Sequence, residues 1–295
     1  MLPTFIICGA GKSGTTALWA YLKEHPEVCM TRMKEPIFFT RMLGTREGGT
    51  IEAPVYTGHY EKGIAWYESL FEHCGCQKVR GEASTAYFYA EDAADLIREI
   101  LPNVKLIFLL RNPVDRLYSH YWQERKTGWR LPEFTELMNR NASEFQRYYH
   151  RSSYKQHLER FHKRFPQEQI LILLYDDLKH KPEHLLRQVY QFIGVRTDIL
   201  PENLGALYNE STIPRSPKLQ RILSLTTRTG LGDKIPKLIR THVSKLRRRL
   251  TKLNQVSIKY FPLEDNIRQE LISRLEKDIL YVEDLLERPL ESWKR

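Results

Sequence analysis

Residues 8–16, CGAGKSGTT, gather three glycines, a lysine and three hydroxyl side chains between the apolar run 5–8 and the amphipathic stretch 17–22. Such a turn can cradle an anion. Gly9, Gly11 and Gly14 let backbone N–H groups crowd toward one point, and Ser13, Thr15 and Thr16 open a helix whose positive end faces it. Lys12 adds a mobile cation. The nucleoside-triphosphate form of this turn needs a glycine five residues before the Gly-Lys pair, where this chain has Ile6. A glycine-rich connection that serves close packing alone is the plainer alternative.

A second group follows KLIFLL at 105–110. Arg111 leaves the apolar run, Pro113 suits the first position of a helix, and Ser119 falls eight residues after Arg111. A guanidinium can give one phosphate two forked bonds while the hydroxyl gives a third. A triphosphate enzyme would want an acidic metal ligand at the end of a strand like this one. Only Asp176 and Asp177, after QILILLY at 169–175, speak for an ATP-dependent kinase.

These groups need elements to hold them. Apolar runs predict strands at 4–8, 78–82, 105–110 and 169–175, and helical spacing predicts helices at 14–24, 91–100, 113–126 and within 180–194, ending at Gly194. Buried strands alternating with helices imply an α/β fold with a central parallel sheet flanked by helices, a P-loop-like three-layer arrangement. The ligand crevice of such a sheet lies beyond the carboxyl ends of its strands. One domain over 1–295 is expected, with irregular loops at about 41–63 and 196–217, a basic helical insertion at about 234–252, and one docked helix over 263–293.

The formal net charge of +10 favours anionic partners. Much of the excess lies in 234–252, where a solvated helix face competes with an acceptor-binding or peripheral membrane role; no nucleic acid is expected. No apolar run is long enough to span a bilayer, so a cytoplasmic protein is expected. Cys8, Cys29, Cys74 and Cys76 lack paired zinc-like spacing, so reduced thiols and no metal are expected, although His73, Cys74 and Cys76 could supply three ligands.

GAGKSGTTAL together with LRNPVDRLYSHY resembles the 5′- and 3′-phosphate signatures of sulfotransferases that use 3′-phosphoadenosine 5′-phosphosulfate (PAPS). The resemblance continues through KEPIFF at 34–39, GEASTAYF at 81–88, SSYKQHLERF at 152–161, FPQEQILIL at 165–173 and LLERPLESW near the end. The KE-x-x-FF segment is similar to the branch containing heparan sulfate sulfotransferases and their bacterial relatives. That resemblance implies sulfonate transfer from PAPS, without a metal, to a hydroxyl or amine of a glycan or small molecule, most readily a saccharide. It makes Glu35 the catalytic base and gives Lys12, Ser13, Gly14, Thr15 and Thr16 the 5′-phosphosulfate, with Lys12 stabilising the departing phosphate. Arg111 and Ser119 match the 3′-phosphate pair, and Arg215, in NESTIPRSPKLQ, stands in for a late loop over the adenosine.

The chain departs from that branch at Ile37 and Thr40, where polar or acidic residues face acceptor in many relatives, and at Ala83, where many have lysine. His120 is a rival base, by analogy with small-molecule sulfotransferases. Adjacent helical residues point about 100° apart, so a Ser119 aimed at phosphate turns His120 away. The remaining alternative is a non-catalytic basic protein that binds glycan or membrane.

Overall fold

The computed structural model describes residues 1–41, 58–126, 131–205, 212–216, 219, 246, 249–251, 253–257 and 261–295. Most of the expected 41–63 loop and of the basic segment 234–252 lies outside the described residues.

Five strands, β1 (Phe5–Gly9), β2 (Val28–Met30), β3 (Val79–Ala83), β4 (Lys105–Leu110) and β5 (Ile170–Leu174), form a sheet in the order β2-β3-β1-β4-β5. Every pairing is parallel. Side chains alternate across it, as the two-residue period of a strand requires. Phe5, Ile7, Ile107 and Leu109 join one buried layer, while Ile6, Cys8, Leu106 and Phe108 join the other. With both faces covered, β1, β4 and β5 are apolar almost throughout, whereas β3 carries Arg80 and Glu82.

The helices are α1 (Thr15–Glu24), α2 (Gly63–Ser69), α3 (Ala93–Ile100), α4 (Pro113–Lys126), α5 (Phe134–Asn139), α6 (Ser143–His150), α7 (Tyr154–His162), α8 (Tyr175–His180), α9 (Pro182–Ile193), α10 (Asp265–Arg274) and α11 (Glu276–Leu286). α1, α8 and α9 cover the Phe5 face, and α3 to α7 with α10 and α11 cover the Phe108 face. Gly194 caps α9 in the left-handed conformation, φ 84°.

Four expectations change. β2 has only three residues, too few for a period to be read. The expected helix over 263–293 is two helices broken at Leu275, and Leu280 is 44% exposed because Ile279 beside it takes the buried face. The irregular stretch 196–217 contains a strand, β6 (Thr212–Pro214), antiparallel to β7 (Gln255–Ser257), a partner too distant for local pattern to reveal. The expectation of reduced thiols fails for two cysteines. Cys29, on β2, and Cys74, after α2, form a disulfide across 45 residues, while Cys8 is free and buried and Cys76 free and exposed. His73 Nε2 lies 3.5 Å from Cys29 Sγ, and among the described residues Cys29, His73 and Cys74 are grouped closely enough to be weighed as metal ligands; the two sulfurs are bonded to each other instead.

Candidate active site

All five strands deliver residues to one cleft of about 490 Å³ at their carboxyl ends. β1 supplies Gly11, Lys12, Gly14, Thr15 and Thr16; β2 leads into Lys34 and Glu35; β3 leads into Thr85; β4 into Arg111; β5 into Tyr175. α4 adds Ser119 and Gln123.

The cradle depends on Gly14. Its φ is 92°, and a Cβ there would lie 2.8 Å from Leu178 Cδ2 and 2.9 Å from Tyr175 Cδ2. Glycine therefore meets both a backbone and a packing requirement at the point where α1 begins. The Gly11 N–H is drawn back to Tyr89 Oη at 2.9 Å. Thr15 and Thr16 line the cleft. Ser13 does not: it is fully buried, so what it can offer an anion is its backbone.

Lys12 crosses the cleft to donate to Gln123 Oε1 at 2.9 Å. Burial lowers its pKa to about 8, and the cations Lys126, Arg111 and Arg116 push the same way. Four residues separate Ser119 from Gln123, one helical turn, so both share a face of α4. That spacing is the signal from which Gln123 could have been found in the sequence.

α4 starts where it does because Asn112 Oδ1 accepts from the Val114 N–H at 3.0 Å, with Pro113 behind it. Arg111 thus sits between strand and helix, its guanidinium carbon 4.9 Å from the Tyr175 ring centre. Its carbonyl accepts from Tyr154 Oη at 2.8 Å. Tyr175 carried no sequence motif; its place at the end of a strand was the available signal.

Glu35 reaches the cleft from a left-handed backbone position, φ 60°. Its N–H donates to the Ala83 carbonyl at 2.9 Å. Its Oε2 accepts from the Thr85 N–H at 2.8 Å, and its Oε1 accepts from Thr85 Oγ at 3.1 Å and Lys34 Nζ at 2.8 Å.

His120 is buried behind this wall. Its ring nitrogens face Arg116 at 3.5 Å and Arg151 at 3.4 Å. Burial, then those cations with Arg147 and Lys12, hold its pKa well below the ordinary value, and it does not line the cleft. Arg215 is exposed, donates its N–H to the Asn254 carbonyl at 2.7 Å, and does not line the cleft. Ser216 Oγ accepts from the Leu219 N–H at 3.2 Å, as a residue at a helix entry does. Asp176 accepts from Trp293 Nε1 at 3.1 Å, and Asp177 pairs with Arg288 at 2.6 Å. Both carboxylates tie the C-terminal segment to β5 and stand outside the cleft lining.

The described residues contain no helix long and apolar enough to cross a membrane. The solved sulfotransferase from Alicyclobacillus acidocaldarius covers all of this chain and is fully covered by it, at a TM-score of 0.71 and 23% identity, a likeness of fold. Over 200 residues the chain is 32% identical to mouse heparan sulfate glucosamine 3-O-sulfotransferase 3B1, which covers 66% of the chain and 47% of the relative. It is 28% identical over 214 residues to mouse bifunctional heparan sulfate N-deacetylase/N-sulfotransferase 4, covering 66% of the chain and 22% of the relative. The chain spans at most about half the length of these two relatives. A family model described as "Sulfotransferase family" matches residues 3–198, the part that builds the sheet and the cleft, and the chain belongs to that family.

Proposed function

We propose that this chain transfers a sulfonate group from PAPS to a hydroxyl or amine of an acceptor, most readily a saccharide, with Glu35 as the base and Lys12 at the leaving group. The observation that carries this reading is that the Glu35 carboxylate and the Lys12 ammonium, which follow different strands, line one cleft together with Gly11, Gly14, Thr15, Thr16, Arg111 and Ser119. The donor set fits a doubly phosphorylated nucleotide: backbone N–H groups of 12–16 and the hydroxyls of Thr15 and Thr16 at one end, Arg111 and Ser119 at the other.

In this scheme an acceptor oxygen or nitrogen forms the new bond to sulfur as the bridging S–O bond breaks, and the acceptor's proton passes to Glu35. Thr85 fixes the carboxylate through two bonds, and Oε2, which takes one of them, offers a lone pair for that proton. Negative charge grows on the departing 5′-phosphate. Lys12, already in the cleft and loosely tethered to Gln123, stabilises that charge more than it stabilises the ground state. The saccharide acceptor rests on the heparan sulfate relatives; Ile37, Thr40 and Ala83 do not line the cleft, and Thr40 and Ala83 are fully buried.

Incubation with labelled PAPS and a panel of glycan and small-molecule acceptors tests this. Transfer by the wild type, lost in Glu35→Gln and in Lys12→Ala, is expected; a Glu35→Gln enzyme as fast as wild type would remove Glu35 as the base. A thermal-shift comparison separates the kinase reading, since 3′-phosphoadenosine 5′-phosphate without metal should stabilise the protein where ATP with magnesium does not. The expected cytoplasmic location is at odds with the Cys29–Cys74 bond, which fits an oxidising compartment. Alkylation of the protein taken from cells, with and without reduction, decides between them.

A further inference from the structure

Glu82 lies at the heart of β3, fully buried. Its carboxylate accepts from three hydroxyls: Tyr67 Oη at 2.9 Å and Tyr87 Oη at 2.8 Å reach Oε1, and Ser84 Oγ at 2.7 Å reaches Oε2. Two of these hydroxyls have further partners. Ser84 Oγ accepts from the Ile37 N–H at 3.0 Å, and Tyr87 Oη accepts from the N–H groups of Phe38 at 2.7 Å and Phe39 at 3.3 Å.

The direction of this chain follows from counting protons. A hydroxyl has one proton and lone pairs to spare. A charged Glu82 can only accept, so Ser84 and Tyr87 aim their protons inward and their lone pairs outward at the three amides. A protonated Glu82 brings a proton that one of the hydroxyls must accept. Where that hydroxyl is Tyr87, whose lone pairs already take two amides, its own proton must turn toward an N–H that is also a donor, and a bond is lost. Ser84, with one amide, gives up the donor bond that aims it, and Tyr67 holds none of the three amides.

The three amides belong to the segment that carries Glu35. Glu35 and Ile37 hold φ of 60° and 48°, a conformation unfavourable for residues with a Cβ and most of all for a β-branched one. A segment with two such residues needs external bonds to keep its course.

We infer that Glu82 is a positioning residue for Glu35, whose negative charge orients Ser84 and Tyr87 so that they hold residues 37–39 and thereby aim the Glu35 carboxylate. The inference rests on the reading of Glu35 as the base.

The groups facing Glu82 are Cys8 on β1, Tyr67 on α2, Tyr87 in the turn after β3, and Glu35 across the segment it holds. Burial, with the Glu82 charge adding to it, pushes the Cys8 thiol and both phenols up, so they stay neutral. Burial raises Glu82 itself to about 7 against the lowering effect of its three hydroxyl donors, and the Glu35 charge adds to the rise. The tether is therefore complete above that pH, and below it loosens where Tyr87 takes the added proton.

Residue-level hydrogen exchange tests the tether without turnover. In the wild type, corrected for intrinsic rates, the Ile37, Phe38 and Phe39 amides should exchange about 10-fold faster one pH unit below the Glu82 midpoint than one unit above. In Glu82→Gln they should be fast at both, with the β4 amides unmoved. Ser84→Ala should free Ile37 alone, which keeps the test open if Glu82→Gln does not fold. In transfer assays both variants should lower kcat about 10- to 100-fold with little change in the KM for PAPS. Equal protection at both pH values in the wild type, or intact protection in Glu82→Gln, overturns the tether. Intact kcat in folded variants that have lost protection overturns its positioning role. A wild type that transfers nothing refutes the proposed reaction instead and leaves the exchange result to decide the tether.

Discussion

Replacing Glu82 by Gln removes a titration that the fold displaces, so its effect on stability should depend on pH in a calculable way. The carboxyl rises from its ordinary value of 4.5 to about 7, chiefly through burial. Between those values the folded protein holds more protons than the unfolded chain. The contribution of this group to stability is thus fully present below 4.5 and is lost as pH rises through about 7. A rise of about 2.5, at roughly 1.4 kcal/mol for each unit, is about 3.5 kcal/mol, of which about 3 is reached by pH 8. Glu82 has no exposed surface, so no allowance for solvent screening is needed. Urea unfolding of wild type and variant across this range supplies the test, because groups common to both cancel in the difference. Wild-type stability minus variant stability should fall by about 3 kcal/mol on going from below pH 4.5 to about pH 8. A flat difference would refute the displaced titration. A carboxylate kept charged at that cost is poorly explained by stability, which agrees with the positioning role inferred for it.

Lys12 titrates in the opposite sense of charge. Its pKa is lowered to about 8, so its positive charge is lost as pH rises through that value. Calorimetric affinity for 3′-phosphoadenosine 5′-phosphate should weaken above that pH in the wild type and hold in Lys12→Arg, whose guanidinium stays charged. Lys12→Ala should lower kcat by about 100- to 1,000-fold in the transfer assay, the scale of one preorganised group facing transition-state charge. Gly14→Ala should destabilise by roughly 2–4 kcal/mol in chemical denaturation, combining positive-φ strain with overpacking; Leu178 and Tyr175 would lie within 3 Å of the new Cβ. Cys74→Ser should cost about 2–4 kcal/mol, and a reducing agent should lower the wild-type Tm but not that of the variant.

The sheet was legible because burial on both faces leaves a strong mark: LIFLL at 106–110 and ILILL at 170–174 have no polar residue to hide their place. The cradle was legible because its glycines, hydroxyls and lysine are contiguous. β2 was not, because three residues carry no period, and its edge position is settled by pairing with β3. Gln123 and Tyr175 escaped for a different reason. Each is an ordinary residue until Lys12 and Arg111 are placed against it.

The Cys29–Cys74 bond shows the limit of spacing arguments, since the spacing of HCGC raises metal ligation and leads to an expectation of reduced thiols, while the partner of Cys74 lies on another element. Arg215 shows it too: its sequence position fits a late loop, and its backbone is instead tied to Asn254.

Sequence alone determined the glycine- and hydroxyl-rich turn at 8–16 and the alternation of strands and helices, because short-range pattern and contiguous motif need no partner to be read, and the resemblance of KEPIFF to a known family made Glu35 the residue to test. Only the tertiary structure decided that Ser13 turns inward, that His120 is enclosed by arginines, and that Glu82 lies behind the segment carrying Glu35. The reason is physical: burial and hydrogen-bond direction belong to pairs of residues, and most of these pairs are distant in the chain.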